Sequence, residues 1–314
     1  MTRLTWVVSL SPEGPPVIIC KFMIRRFLPA FLLVAVVLGS GCIARKLHIS
    51  RRGAPPSGQL AIASLEDLVG KIRAWDQQVH TINATVTLEP SVGSVNKGEI
   101  EEYKDVRAFV MIRKPGMFRL IGLLPVVGTR IFDMVTDGKD FKIHFPTKNR
   151  MVVGVNQMEK PSAKKMENIR PQHLFDALVV KPIGAGDRPV LENQTDENEA
   201  NYIVHVLQGT GTNLKLARNL WFERAGLRLV REVIFDANGD IVTDARYEDY
   251  KDHRGIAFPQ VISIMRPKDE YGVRLTIQKL DLNKELDDDK FALAPPRGVE
   301  VLDLQKRKAN GGDK

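Results

Sequence analysis

The chain has 314 residues, two cysteines and a formal net charge of +8. Such an excess of Lys and Arg invites a nucleic-acid reading, yet residues 1–41 carry +3, residues 42–59 carry +4 and residues 304–314 carry +3, which leaves −2 for residues 60–303. A slightly acidic body with basic ends argues against nucleic acid as a partner, and two cysteines cannot build a disulfide framework.

The first 22 residues contain Ser-Pro-Glu-Gly-Pro-Pro, which breaks the apolar run, and they read as a mis-called extension ahead of a start at Met23. From Met23 the pattern is ordered: Arg25 and Arg26, then an apolar run from Phe27 to Leu38, then Gly39, Ser40, Gly41 and Cys42. The run is too short for a bilayer span of ~20 residues and suits a signal h-region. Residues 23–41 resemble a bacterial lipoprotein signal, which implies acylation of Cys42 and cleavage just before it. Here Gly39 stands where such signals usually have Leu, and an ordinary signal peptide or an uncleaved anchor stays open. Residues 42–62 then form a basic Pro/Gly/Ser linker. Its Arg45, Lys46, Arg51 and Arg52 suit anionic headgroups at about 1 kcal/mol each, or merely solvate the linker.

Residues 64–82 predict an amphipathic helix, with Ser64 as N-cap, Asp67 three residues on, and Leu65, Leu68, Val69, Ile72, Trp75 and Val79 on one face. Period-two strands come next, beginning at NATVTLE and VRAFVMIRK, with a hairpin signal at Asp137-Gly138. A short helix is predicted over Arg170–Val180, with Pro171 in its first turn, and residues 184–201 read as loop. Six more strands complete the pattern, with a second hairpin turn at Asn238-Gly239. About a dozen antiparallel strands must curl or close. The expected fold is mainly β (α+β): a strongly curved sheet, or incomplete barrel, with helices over its concave face, spanning residues 63–304 and succeeded by a basic tail, 305–314.

The search for chemistry comes out negative. The six histidines are scattered without metal-ligand spacing, and neither a G-x-S-x-G elbow nor a P-loop occurs. Asp236–Asp240 hints at a calcium loop but lacks the bidentate Glu, so a hairpin turn explains it. No enzyme activity, cofactor or metal is expected. Phe109, Met111, Phe118, Leu120 and Phe132 are large and apolar. They are either ordinary core or the walls of a dry cleft, where each methylene moved from water gains about 0.8 kcal/mol. Leu124, Val126 and Val127 form an apolar connection between two strands, where a polar turn is usual. The tip either folds back onto its own core or meets something apolar.

Several stretches together resemble the lipoprotein-carrier superfamily, LolA and LolB. They are a strand ending in Lys114-Pro115, the aromatic Phe118, the hairpin Thr136-Asp137-Gly138-Lys139, and Phe291 with Pro295, Pro296, Gly298 and Val299 after it. The resemblance implies an open barrel with a helical lid over a cavity for lipoprotein acyl chains. It also makes Lys114 a lid contact, at the position where the soluble carrier has an Arg. The membrane-anchored LolB type has an exposed Leu at the tip matched here by Val126 and Val127, which together with Cys42 draws the chain toward that type. The resemblance thus leads to the expectation of a monomeric periplasmic lipoprotein, held by its N-terminal lipid at the outer membrane. It would take acyl chains or lipids, with a periplasmic lipoprotein carrier as partner, and help localise lipoproteins. A lipid- or protein-sensing module of the same fold, without transfer, is the alternative, and a hydrolase built from distant residues stays open.

Overall fold

The computed structural model describes residues 59–94, 99–124, 127–156 and 169–305. Helix α1 (Leu65–Gln78) opens the described chain. Beyond it lie β1 (Thr81–Ser94), β2 (Glu99–Glu102), β3 (Val106–Arg113), β4 (Met117–Leu123), β5 (Arg130–Thr136), β6 (Asp140–Phe145) and β7 (Arg150–Val155). Helix α2 (Pro171–Leu178) leads into β8 (Arg188–Thr195), β9 (Ala200–Gln208), β10 (Lys215–Glu223) and β11 (Arg228–Phe235). Then come β12 (Ile241–His253), β13 (Ile256–Arg266), β14 (Tyr271–Leu282) and β15 (Glu300–Asp303).

All fifteen strands form one sheet, in the order β15-β7-β6-β5-β4-β3-β1-β14-β13-β12-β11-β10-β9-β8, with β2 beside β1. The fold is mainly β, a curved open sheet with two α-helices among the described residues. Two meanders meet at β1 and β14, where Ile82 pairs Leu282 and Val92 pairs Tyr271. The edges β15 and β8 do not pair with each other, so the sheet stays open. Among the described residues no helix is long and apolar enough to cross a membrane.

Alternation decides what each face holds. In β3 the buried residues are Ala108, Val110 and Ile112, and in β4 Phe118 and Leu120. Cross-strand pairs match them, Ile112 with Phe118 and Val110 with Leu120, so these side chains share the concave face. Both helices pack onto that face through Leu68 and Ile72 of α1 and Leu174, Phe175 and Leu178 of α2. Each such side chain, fully buried, contributes about 1.5–3 kcal/mol. Helix α1 starts where predicted because Ser64 and Asp67 close a capping box: Asp67 N–H donates to Ser64 Oγ at 3.2 Å and Ser64 N–H to Asp67 Oδ2 at 2.8 Å. The Asp67 carboxylate accepts from both the Ser64 N–H and, at 2.7 Å, the Ser64 hydroxyl, and these two bonds hold it below the usual carboxylate range.

The helix expected over residues 64–82 ends at Gln78, because Thr81 and Ile82 already belong to β1, and two strands were not expected. The stretch 184–201 is not all loop, since it contains β8, an edge strand whose Pro189 is tolerated because one side has no ladder partner. Residues 300–303 add β15 in parallel to β7, where Val301 pairs Met151. No local signal announces either strand, because each is short and is fixed by the neighbour it pairs with. The expectations for residues 1–41, for Cys42 and most of the linker, and for most of the 305–314 tail lie outside the described residues.

On the convex face the chain between β14 and β15 runs as a strap across the first meander. Arg113 Nη1 donates to the Leu286 carbonyl at 2.7 Å and Arg119 Nη1 to that of Lys290 at 2.8 Å. The Phe291 ring is buried beneath it, with the Arg113 guanidinium 5.2 Å from its centroid. Beneath the strap Asp133, 0% exposed, accepts two bonds from Arg119 at 2.9 and 2.8 Å and one from Arg130 at 2.9 Å. Removing the carboxylate strands a largely buried guanidinium, so Asp133→Ala should lower the unfolding free energy by about 3 kcal/mol in urea melts. A loss below about 1 kcal/mol would show that Arg119 resolvates freely.

Candidate functional site

The two helices do not fill the concave face evenly. Helix α2 lies over β4, β5 and β13. Beyond it, between α1 and strands β10–β13, a cavity of about 320 Å³ remains. Its floor and walls are mostly apolar, including Ile72, Trp75, Leu178, Phe222, Leu229 and Phe258. The Trp75 and Phe258 rings stack with centroids 6.0 Å apart. Two tyrosines also face it, and backbone carbonyls take up their hydroxyls: Tyr247 Oη donates to Ala177 O at 3.0 Å and Tyr250 Oη to Leu229 O at 2.6 Å. Burial pushes both phenols up, so they present rings rather than charge.

One end of the strands carries this opening. The β10–β11 turn contributes Gly226 and Leu227, and the β12–β13 turn contributes Gly255. Register puts the β3–β4 turn at the same end, since Thr81 pairs Arg113 and Ile82 pairs Leu282. Lys114 stands there: Nζ donates to Asp76 Oδ1 at 2.7 Å and also to the Asp76 carbonyl, tying the last turn of α1 to the sheet. A wider, shallower groove of about 520 Å³ lies alongside, where Lys114, His80 and Phe175 meet. It is more open to solvent, so hydrocarbon lying there would be less completely removed from water.

The five predicted cavity residues divide. Phe109 and Met111 are corrected outright: they alternate with Ala108, Val110 and Ile112 and so point to the convex face, where Phe109 pairs Ile121 and carries the Arg107 guanidinium 5.8 Å from its ring centroid. Phe118, Leu120 and Phe132 do face the concave side, but they belong to the packed core and do not line the 320 Å³ cavity. Phe132 fills the space over Gly122, where a Cβ would sit 2.3 Å from its ring. A curved sheet offers many concave apolar residues, and only the helices' positions decide which of them remain uncovered. Sequence reasoning placed Trp75 on the buried face of α1 but picked no residue from the second meander, where most of the lining lies.

At the tip Leu124 is 41% exposed and Val127 75% exposed, while Val126 lies outside the described residues. The tip is closed by Leu124 N–H to Thr129 O at 2.8 Å and Gly128 N–H to Leu124 O at 3.0 Å, with Gly128 at φ +69°. Its described apolar side chains therefore do not fold back onto the core. The tip is at the opposite strand end from the cavity opening, separated from it by the length of β4.

A buried polar cluster seats the first turn of α2. Arg266 donates through Nη2 to His173 Nε2 at 3.1 Å, through Nη1 to Thr243 Oγ1 at 2.7 Å, and through Nε to Asp269 at 2.8 Å. His173 Nδ1 lies 2.7 Å from Tyr271 Oη. Because guanidinium only donates, Nε2 must accept, which puts the ring proton on Nδ1. Burial, then Arg266 and Arg170, hold the imidazole well below its ordinary pKa of 6.5. Near the helix's other end Glu232 accepts from Arg218 Nη1 at 3.1 Å, and burial pushes its carboxyl up.

No family model and no curated protein matches the chain. Solved structures similar to it include a LolA-superfamily protein from Nitrosomonas europaea, 14% identical, with a TM-score of 0.46 over 74% of this chain and 99% of that one. A domain from Vibrio parahaemolyticus assigned to outer-membrane lipoprotein sorting is 12% identical, with a TM-score of 0.47 over 71% of this chain and 94% of its own. A DUF1329-family protein from Desulfovibrio piger is 14% identical, at 0.48 over 72% and 95%. The functional reading therefore rests on the cavity and the tip of this chain.

A histidine whose pKa falls on folding adds stability above its unfolded value and loses it as pH drops. Stability should therefore decline below about pH 6.5 with a His173 contribution of up to about 1.4 kcal/mol per pH unit. In chemical denaturation across pH 5–8, His173→Gln should flatten that slope. An unchanged slope would place the titrating group elsewhere.

Proposed function

We propose that this chain is a monomeric lipoprotein, acylated at Cys42 and facing the periplasm from the outer membrane, that binds acyl chains and helps localise lipoproteins or lipids there. The observation that carries the reading is the cavity of about 320 Å³ between α1 and β10–β13, with mostly apolar walls. Hydrocarbon entering it gains roughly 0.8 kcal/mol per methylene, without bond-making chemistry. Lys114 acts as the lid contact by holding α1 across the opening, and a periplasmic lipoprotein carrier is the natural donor of cargo. The exposed Leu124 and Val127 support a bilayer contact at the tip, with Val126 beside them.

One observation favours the alternative, an envelope module that binds a lipid or protein ligand without passing it on. The cavity opens at the strand end opposite the tip, so a chain released from it does not emerge beside Leu124 and Val127. The residues before α1 enter at the cavity end, where Ala61 N–H donates to Arg224 O at 2.8 Å. On this reading the described chain enters α1 at the same end as the opening, and the tip makes a separate contact.

Two experiments divide these readings. Leu229→Trp, which fills the cavity from one wall, should weaken binding of laurate by tenfold or more in calorimetry while the melting temperature stays within a few degrees. Unchanged affinity would remove the cavity from the function. Leu124→Asp with Val127→Asp should leave laurate binding intact, reduce flotation with phospholipid vesicles and abolish delivery of a lipoprotein to them. Normal delivery by that variant would take the tip out of the mechanism.

A further inference from the structure

We infer that the cavity takes one medium-length alkyl chain carrying an anionic headgroup, with the chain inside and the acid at the mouth between Lys71 and Arg228. This rests on the acyl-chain reading above and goes further in naming the ligand class.

Volume limits the hydrocarbon. An apolar cavity of about 150 Å³ in a well-studied host holds one benzene ring, six carbons. At the same density about 320 Å³ accommodates about a dozen carbons, a single chain rather than a bundle. The figure also lies at the low end of ligand-pocket volumes, about 300–1,000 Å³.

Charge at the mouth selects the headgroup. The lining includes two cationic side chains, Lys71 of α1 and Arg228 at the start of β11, and no carboxylate. Both are exposed, and among the described residues neither forms a salt bridge with an acid. Arg228 is placed by the wall itself, its guanidinium 5.6 Å from the Tyr250 ring centroid. The nearby Glu223 carboxylate is occupied by the β10–β11 turn, accepting from the N–H groups of Ala225 at 2.6 Å and Gly226 at 2.9 Å. Two cations without salt bridges at the rim of a greasy hole match an amphiphile with an acidic end. The lysine stem covers apolar surface while its ammonium stays in water. A carboxylate and a phosphate monoester share this chemistry, so a fatty acid and a lysophosphatidate-like ligand both qualify.

The test uses the full chain in calorimetry with four probes: laurate, monododecyl phosphate, neutral monolauroylglycerol and palmitate. Laurate and dodecyl phosphate should bind about fivefold or more tightly than the neutral ester at low salt, and 0.5 M NaCl should erase that advantage. The better of the two anions identifies the headgroup. Lys71→Met with Arg228→Met should bring the anions down to the neutral ester and leave the ester unchanged. Palmitate should gain little over laurate. Equal binding of charged and neutral dodecyl ligands overturns the headgroup inference while leaving the cavity reading in place. A further tenfold gain from laurate to palmitate overturns the single medium chain. Failure of all four to bind overturns the cavity reading and this inference together.

Discussion

A sheet this large has one concave apolar face to bury, and in the described residues only α1, with 14 residues, and α2, with 8, are available to bury it. Apolar area left in water costs about 25 cal/mol per Å², so the helices' coverage of this face matters to stability. Helix α2 takes the ground over β4, β5 and β13, and its short length leaves the neighbouring floor under β10–β13 uncovered. Helix α1 bridges that gap without filling it. The cavity arises from this mismatch between sheet area and helix length, not from any special motif.

The same constraint explains where the charges went. A helix of eight residues has little propensity of its own to rely on, and α2 is held instead at both ends. Arg266 and His173 seat its first turn, while Tyr247 Oη reaches Ala177 O near its last and Arg218 reaches the Lys181 carbonyl just beyond. Helix α1 is held by its capping box at one end and by Lys114 at the other. On the convex face the strap does comparable work for the sheet, bringing β15 against β7 and so covering what would be a bare edge. Polar contacts place the elements, and apolar contacts supply the stability.

In this cavity the phenols are already bonded to backbone carbonyls and the cations sit at the rim. Under the proposed function such a cavity would work by partition, the number of methylenes setting affinity and the head end setting preference. The opening and the apolar tip occupy opposite strand ends, so under the proposed function loading and membrane contact would be separate events. A transfer cycle would need one to influence the other through β4 and the sheet between them.

The sequence by itself determined most of the elements, though not β8 or β15, which depend on the neighbours they pair with. Period-two alternation in β3 and β4, the Ser64 capping box, Pro171 in the first turn of α2 and the two hairpin signals are local, because a strand's burial pattern and a helix's cap are written within a few residues of where they act. The apolar character of the tip was legible for the same reason, while its exposure was decided only by the fold. Tertiary structure decided which apolar residues line a space and which are merely core. Phe109 and Met111 face the convex side by register, Phe132 is spent on Gly122, and the lining comes from Trp75, Leu229, Tyr250 and Phe258, which lie far apart in the chain. An empty volume is a difference between what a curved face offers and what distant helices cover, and no stretch of sequence encodes that difference locally.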